Sequence, residues 1–166
     1  MDYEVIFTNI HLYIEGLWVT IQLVFLSLVC GFVLALPIAL LAICRSPWIQ
    51  IFPKTYIYFF RGTPLLVQMF LIYHGMGQFE FVRESVIWIV FKEAYWCALI
   101  AFALNTAGYT AEILRGTIEQ TPFGDFEAAR ACGMSKSTMY RRIILPGTFR
   151  RALPAYGNET IFMLHG

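Results

Sequence analysis

A long stretch without charge is the strongest constraint on the fold of this chain. Between Glu15 and Arg45 the sequence runs for 29 residues with no Asp, Glu, Lys or Arg, and most of them are large and apolar. A helix that crosses the hydrocarbon core of a bilayer needs about 20 such residues. The residues before the run include acids and no base, whereas a cleaved signal peptide begins with a basic segment. The stretch 17–44 is therefore predicted to be a transmembrane helix of the mature protein.

Three further apolar segments predict an all-α membrane protein. The chain is 58% apolar and 14% charged, against about 25% charge in an ordinary soluble domain. Uncharged runs predict spans at 56–79 and 94–114, and the chain becomes apolar again from residue 152. The last 15 residues reach about 22 Å as a helix, short of a hydrocarbon core of about 30 Å. We therefore expect one transmembrane domain over 1–166 that is truncated at its C-terminus, with a partial span at 152–166.

The charges between the predicted spans predict the orientation. The N-terminal segment contains three acids and no base, the loop 45–61 contains three bases and no acid, and the segment 112–151 contains seven bases against four acids. Basic loops remain on the cytoplasmic side of a membrane. We therefore expect a multi-pass protein of the cytoplasmic membrane, with a periplasmic N-terminus and a cytoplasmic segment at about 115–151.

Residue patterns for chemistry on a substrate are missing from the sequence. The four cysteines, at 30, 44, 97 and 132, lack metal-ligand spacing, and the three histidines, at 11, 74 and 165, are scattered. The sequence contains no phosphate-binding loop and no arrangement of a nucleophile with a base. We expect free thiols, no metal, no cofactor and no catalytic residue, so the chain is not predicted to be an enzyme.

The predicted cytoplasmic segment contains signals for two short helices. Thr121 followed by proline predicts the first helix start, and Gly133 predicts its end. Ser135 predicts the cap of a second helix, which Pro146 is expected to end. Such a pair can be a solvated loop, a docking element for a soluble partner, or a DNA-binding helix-turn-helix with Arg141 and its neighbour on the second helix. Acids on the first helix oppose contact with phosphate, which disfavours DNA.

The same segment resembles the EAA loop of permease subunits of bacterial ABC importers. The pattern is Glu127-Ala128-Ala129, three residues, Gly133, nine residues, Ile143, one residue, and Leu145-Pro146. The stretches 60–68, 104–112 and 152–159 are similar to those of permeases for polar and basic amino acids, of the histidine, arginine and octopine type. The similarity extends from the first span to the last residue, although such subunits usually have five spans.

This resemblance implies a type I permease helical bundle in which the EAA helices couple to a separate ATPase. It assigns coupling to seven residues: Glu127, Ala128, Ala129, Gly133, Ile143, Leu145 and Pro146. The partners that it implies are cytoplasmic ATPase subunits, a second permease that is identical or paralogous, and a periplasmic amino-acid-binding protein, with lipid around the spans and no nucleic acid. ATP hydrolysis is then expected on a partner chain.

Polar residues inside the predicted spans are the candidates for a substrate path, because such residues are costly in lipid and usually face a cavity or a partner. These residues are Glu159, Asn105, Thr106 and Gln68. A carboxylate at 159 can meet a cationic substrate group, whereas the others can line a path or bond across helices. We predict ATP-driven import of polar, basic amino acids by alternating access. The alternatives are an ATP-independent facilitator and a membrane-anchored DNA-binding regulator.

Overall fold

The computed structural model describes residues 9–44 and 46–165, and helices joined by short connections make up this part of the chain. The α-helices, in chain order, are α1 Ile10–Ala42, α2 Pro47–Gly62, α3 Leu65–Phe70, α4 Glu80–Arg83, α5 Trp88–Phe91, α6 Ala94–Glu119, α7 Phe123–Ala131, α8 Lys136–Met139 and α9 Leu145–His165. Two π-helical segments accompany them: Leu71–Gly75 extends α3, and Tyr140–Ile144 joins α8 to α9. The predicted all-α fold is confirmed.

Two helices, α1 and α6, are long and apolar enough to cross a membrane. Helix α1 starts before the predicted span and continues through Pro37 to Ala42. Helix α6 lies at the centre of the fold, where α1, α2, α3 and α9 all pack against it. Half of its most apolar window is buried inside the chain, against 22% for α1.

The packing of α1 on α6 depends on small side chains. The buried residues of α1 recur at intervals of about four: Ser27, Gly31, Ala35, Ala39 and Ala42. A Cβ atom added to Gly31 would lie 2.8 Å from the Cγ2 atom of Thr106 on α6. Small residues at such intervals allow two backbones to approach closely, which strengthens van der Waals contact where lipid removes the hydrophobic driving force.

The segment predicted as one span at 56–79 contains two helices with a break between them. Helix α2 begins earlier, at Pro47, and ends at Gly62. Thr63 and Pro64 are extended, with φ/ψ of −113°/140° and −60°/137°, and α3 begins at the next residue. Proline has no backbone N–H, so Pro64 cannot donate to the carbonyl of Phe60 one turn earlier. The helix is therefore interrupted at this point.

The two helices predicted in the cytoplasmic segment are present as α7 and α8, with two differences at their ends. Gly133 has a φ of 69° after α7, and the Oγ of Ser135 accepts a hydrogen bond from the backbone N–H of Thr138 at 3.3 Å, both as predicted. Thr121 does not cap α7, which begins at Phe123. Its hydroxyl instead accepts a hydrogen bond of 2.7 Å from Nη2 of Arg151.

Pro146 does not end the second helix, contrary to the sequence prediction. The chain passes from α8 through the π-helical turn at 140–144 into α9 and remains helical to His165. In a π-helix the hydrogen bonds span five residues instead of four. This wider turn directly before the proline accommodates its missing N–H, so the helix continues.

A small apolar core attaches α7 and α8 to the bundle. Ile118, Ala129, Met139 and Ile144 are buried together, and Leu40 at the end of α1 packs against them. The core draws on α6, α7, α8, the second π-helical turn and the end of α1. The segment predicted to be cytoplasmic is therefore packed against both long apolar helices.

Candidate functional site

Two carboxamides supply the hydrogen bonds that the break between α2 and α3 lacks. Nε2 of Gln68 donates to the carbonyl oxygens of Phe60 and Thr63 at 2.9 and 3.0 Å, and to the Thr63 hydroxyl at 2.7 Å. Nδ2 of Asn105, on α6, donates to the same Phe60 carbonyl at 3.2 Å and to Oε1 of Gln68 at 3.1 Å. Gln68 is 2% exposed. These bonds join the break to the central helix.

Thr106 lies in a different environment from Asn105, its neighbour in sequence. Its side chain is buried against Gly31 of α1, and its hydroxyl lies 3.4 Å from the Sδ atom of Met163 on α9. The hydroxyl of Ser27 on α1 contacts the same sulfur at 3.9 Å. The structure therefore places Thr106 at a junction of three helices.

A cavity of about 420 Å³ lies between the start of α3, the middle of α6 and α9. Six residues line it: Leu65, Asn105, Tyr109, Glu159, Phe162 and Met163. The carboxylate of half-buried Glu159 is the charged group of this lining. The cavity thus brings together two of the four predicted path residues, Glu159 and Asn105, whereas Gln68 and Thr106 are absent from its lining.

Ion pairs lie next to this cavity, at the end of α2. Arg61 contacts Glu112 at 3.7 Å, and its guanidinium carbon lies 5.5 Å from the ring centre of Tyr109, which lines the cavity. Glu112 accepts two hydrogen bonds from Arg115, at 2.7 and 2.8 Å, and Arg115 also binds Glu119 at 2.7 Å. Sequence reasoning missed Tyr109 and Glu112. Their spacing of three residues in sequence predicts that both side chains lie on one face of the same helix, and this was the signal that could have identified them.

The seven predicted coupling residues divide into an exposed and an inward-facing group. Glu127, Ala128, Gly133 and Pro146 are exposed, whereas Ala129 is 1% exposed, and Ile143 and Leu145 are half-buried around the same apolar core. Phe123, at the start of α7, leaves 68% of its surface exposed. Helix α7 therefore presents one face to the bundle and an opposite face that includes Glu127 to its surroundings.

The fold belongs to a known class of membrane protein. Residues 28–166 match the family described as binding-protein-dependent transport system inner membrane component. The chain therefore belongs to this family. Within the family it is similar to the permeases of amino-acid ABC transporters, and the resemblance found in the sequence is confirmed.

Three relatives illustrate this similarity. The octopine transport system permease protein OccM of Rhizobium radiobacter is 48% identical over 91% of this chain and 62% of its own length. The nopaline permease NocM of Agrobacterium fabrum is 44% identical over 99% and 68%. The histidine/lysine/arginine/ornithine permease HisM of Escherichia coli is 45% identical over 90% and 63%. The chain thus spans about 62–68% of the length of these relatives.

Two solved structures have a similar fold. An amino acid ABC transporter crystallised with histidines superposes with a TM-score of 0.83 at 36% identity, over 99% of this chain and 73% of that chain. The MetNI methionine ABC transporter in an inward-facing conformation gives a TM-score of 0.78 at 19% identity, over 95% of this chain and 72% of that chain. The predicted ABC importer permease bundle is therefore confirmed at the level of the fold.

Proposed function

We propose that this chain is a membrane subunit of an ATP-driven importer of amino acids with cationic side chains. The observation that carries the proposal is the cavity with Glu159 in its wall, at the junction of α3, α6 and α9. The names of the relatives support the substrate class, because they include octopine, nopaline, histidine, lysine and arginine. Family membership supports transport across the inner membrane.

The polar groups of the cavity suit a positively charged ligand. Both hydrogen bonds that Nδ2 of Asn105 makes go to the helix break, which leaves its carbonyl oxygen to accept. Glu159 contributes a carboxylate, the six lining residues include no lysine or arginine, and Arg61 beside the cavity is paired with Glu112. A partly desolvated carboxylate with a neighbouring carbonyl forms charge-assisted hydrogen bonds with an ammonium or guanidinium group. In this proposal Gln68 and Thr106 stabilise the packing of the helices around the cavity and do not contact substrate.

Replacing Glu159→Gln tests the substrate proposal. We expect uptake of arginine at low concentration to fall by about tenfold or more, because hydrogen bonds to charged groups contribute about 1.5–3 kcal/mol. Uptake of a neutral amino acid should fall less. The measurement is competition between radiolabelled substrates in cells that contain the whole transporter.

The matched control is Glu84→Gln, an exposed carboxylate in the connection between α4 and α5, which should leave uptake unchanged. An equal loss for arginine and the neutral substrate would contradict a role in charge recognition. It would assign Glu159 to packing of the helices instead.

The energy for import is proposed to come from a separate ATPase that binds α7 and α8, which we call the coupling helices. The exposed face of α7, with Glu127 and Phe123, is the surface available to such a partner, and the glycine turn at Gly133 connects it to α8. The complex would also contain a second permease subunit and receive substrate from a periplasmic binding protein. The family description, which names dependence on a binding protein, supports that last partner.

Charge reversal at Glu127 tests the docking. Glu127→Lys should reduce co-purification of the ATPase, because the exposed side chain is free to contact a partner and its loss costs the chain no internal packing. Glu84→Lys makes the same charge reversal at an exposed site in the connection between α4 and α5, away from α7, and is the control. Full retention of the ATPase by Glu127→Lys, in a folded protein, would refute this surface as the docking face.

A further inference from the structure

A second pocket lies among the end of α1, α7, α8 and the second π-helical turn. Its volume is about 350 Å³, and it opens where the end of α1 meets the coupling helices. Eight residues line it: Leu40, Ile43, Cys44, Phe126, Arg130, Lys136, Met139 and Tyr140. The two cavities share no lining residue, so they are separate sites.

The floor and walls of this pocket are apolar. Leu40 and Ile43 come from the end of α1, and Met139 at the base is 3% exposed. The rings of Phe126 and Tyr140 lie 6.4 Å apart and join α7 to the second π-helical turn. Such a lining can bind hydrocarbon, because removing apolar surface from water lowers the free energy.

Two cations stand at the rim. Arg130 lies in the last turn of α7 and Lys136 is the first residue of α8, and the turn at Gly133 brings both to the same opening. Both side chains are exposed, and the ion pairs found between described residues involve neither of them. The rim therefore offers positive charge that this part of the chain does not neutralise.

The position of the pocket places it at the boundary of the membrane. Helix α1 supplies one wall, and only 22% of its most apolar window is buried inside the chain. An apolar helix with this exposure presents a surface that lipid can cover. The pocket opens beside the last turn of that helix, the end that the positive-inside rule predicts to lie at the cytoplasmic surface, where headgroups lie next to acyl chains.

We propose that this pocket binds an anionic phospholipid, with Arg130 and Lys136 holding the phosphate and the apolar wall contacting an acyl chain. Basic pockets at the membrane surface attract anionic headgroups through their lysine and arginine side chains. Guanidinium and ammonium groups form charge-assisted hydrogen bonds with phosphate oxygens. A soluble phosphate would use the cations alone, whereas a lipid also uses Leu40, Ile43 and Met139. The bound lipid would tie α7 and α8 to the end of α1.

The experiment measures which lipid the purified chain retains, without any ATPase present. The chain is incubated with equal amounts of phosphatidylglycerol and phosphatidylcholine, depleted of free lipid, and analysed by native mass spectrometry. We expect about tenfold enrichment of phosphatidylglycerol, and R130Q/K136Q should abolish it. R130K/K136R, which keeps both charges, should preserve the enrichment.

R141Q/R142Q is the matched control, since these exposed arginines follow the pocket in sequence but do not line it. This variant should retain phosphatidylglycerol as the unchanged chain does. Equal retention of the two lipids by the unchanged chain would overturn the proposal, and so would an equal loss in both neutralised variants. Displacement of the lipid by millimolar glycerol phosphate would also overturn it, since it would show a site for soluble phosphate. Circular dichroism confirms that each variant remains helical.

Discussion

The side chain of Gln68 donates the hydrogen bond that the backbone cannot donate at Pro64. The carbonyl of Phe60 loses its helical donor because Pro64 has no N–H, and Nε2 of Gln68 binds that carbonyl from four residues beyond the proline. Asn105 adds a second donor from α6. A buried carbonyl without a partner is costly, more so where no water reaches it. The two carboxamides therefore allow a helix break to exist inside an apolar bundle.

Replacing Gln68→Leu should destabilise the chain by about 1–3 kcal/mol, because the Phe60 carbonyl keeps one donor and the Thr63 carbonyl loses its side-chain donor. The side chains have similar volume, so packing changes little. The measurement is the thermal unfolding midpoint in detergent. Gln78→Leu makes the same exchange at an exposed site and should leave the midpoint unchanged. Equal midpoints for the two variants would contradict the structural role of Gln68.

At the scale of helices, close approach of α1 and α6 depends on the absence of side chains. The buried positions of α1 carry serine, glycine and alanine, and α6 meets them with Thr106 and further small residues. In water such an interface would bury little apolar area. In lipid it is favourable, because dispersion contacts between closely packed helices replace contacts with acyl chains.

Gly31→Ala should disrupt this interface, because its new Cβ would lie 2.8 Å from Thr106 Cγ2 and 3.1 Å from the carbonyl oxygen of Ala103. Overpacking of this kind costs about 1–3 kcal/mol, and we expect a lower unfolding midpoint. Gly16→Ala, on the same helix with nothing within 4 Å, should be neutral or stabilising. Adding Thr106→Ser removes the clashing methyl group and should restore part of the loss. A Gly31→Ala variant as stable as Gly16→Ala would contradict the packing.

Elements whose signals are local could be predicted from the sequence, and those that depend on distant partners could not. The charge-free run predicts the first helix, and Gly133 and Ser135 predict the turn between α7 and α8, because each acts on its own neighbours. The break at Thr63 and Pro64 was missed, since one of the carboxamides that stabilise it lies on another helix. Pro146 was expected to end a helix, but a π-helical turn accommodates it.

The same distinction holds for the candidate site. Glu159 and Asn105 are identifiable in the sequence because polar groups in apolar segments are costly in lipid and usually face a cavity or a partner. Both line the cavity. Thr106 meets the same criterion, yet its partners are Gly31 and Met163. One rotation of about 100° along a helix separates a residue in a cavity from one in an interface. Only the assembled helices decide between these two outcomes.

For the whole molecule, the unequal distribution of basic residues among the segments between the apolar helices predicts the orientation in the membrane. The segment 112–151 carries seven of the twelve basic residues, and the N-terminal segment carries none. The family description supports the inner membrane, and the positive-inside rule then predicts a cytoplasmic α7 and α8. The connection from α3 to α6, with α4 and α5, is predicted to face the periplasm.

Labelling with a membrane-impermeant maleimide tests this orientation. Cys132, exposed directly after α7, should react in inside-out vesicles and remain unlabelled in intact spheroplasts. A cysteine introduced by Glu84→Cys, in the connection between α4 and α5, should show the reverse. Cys132→Ser provides the background. Labelling of Cys132 in intact spheroplasts would contradict the predicted orientation.

The unbroken helical path from Lys136 to His165 has a mechanical consequence. Over the 24 residues from Lys136 to Glu159 it measures about 35 Å at 1.5 Å per residue, and no loop interrupts it. A rod of this length acts as a lever: a tilt of about 10° moves its far end by about 6 Å, roughly the size of an amino-acid side chain. Work done on α7 and α8 would thus reach the Glu159 carboxylate as displacement, and the π-helical turn at 140–144 and Pro154 are the points on this path where a helix can bend.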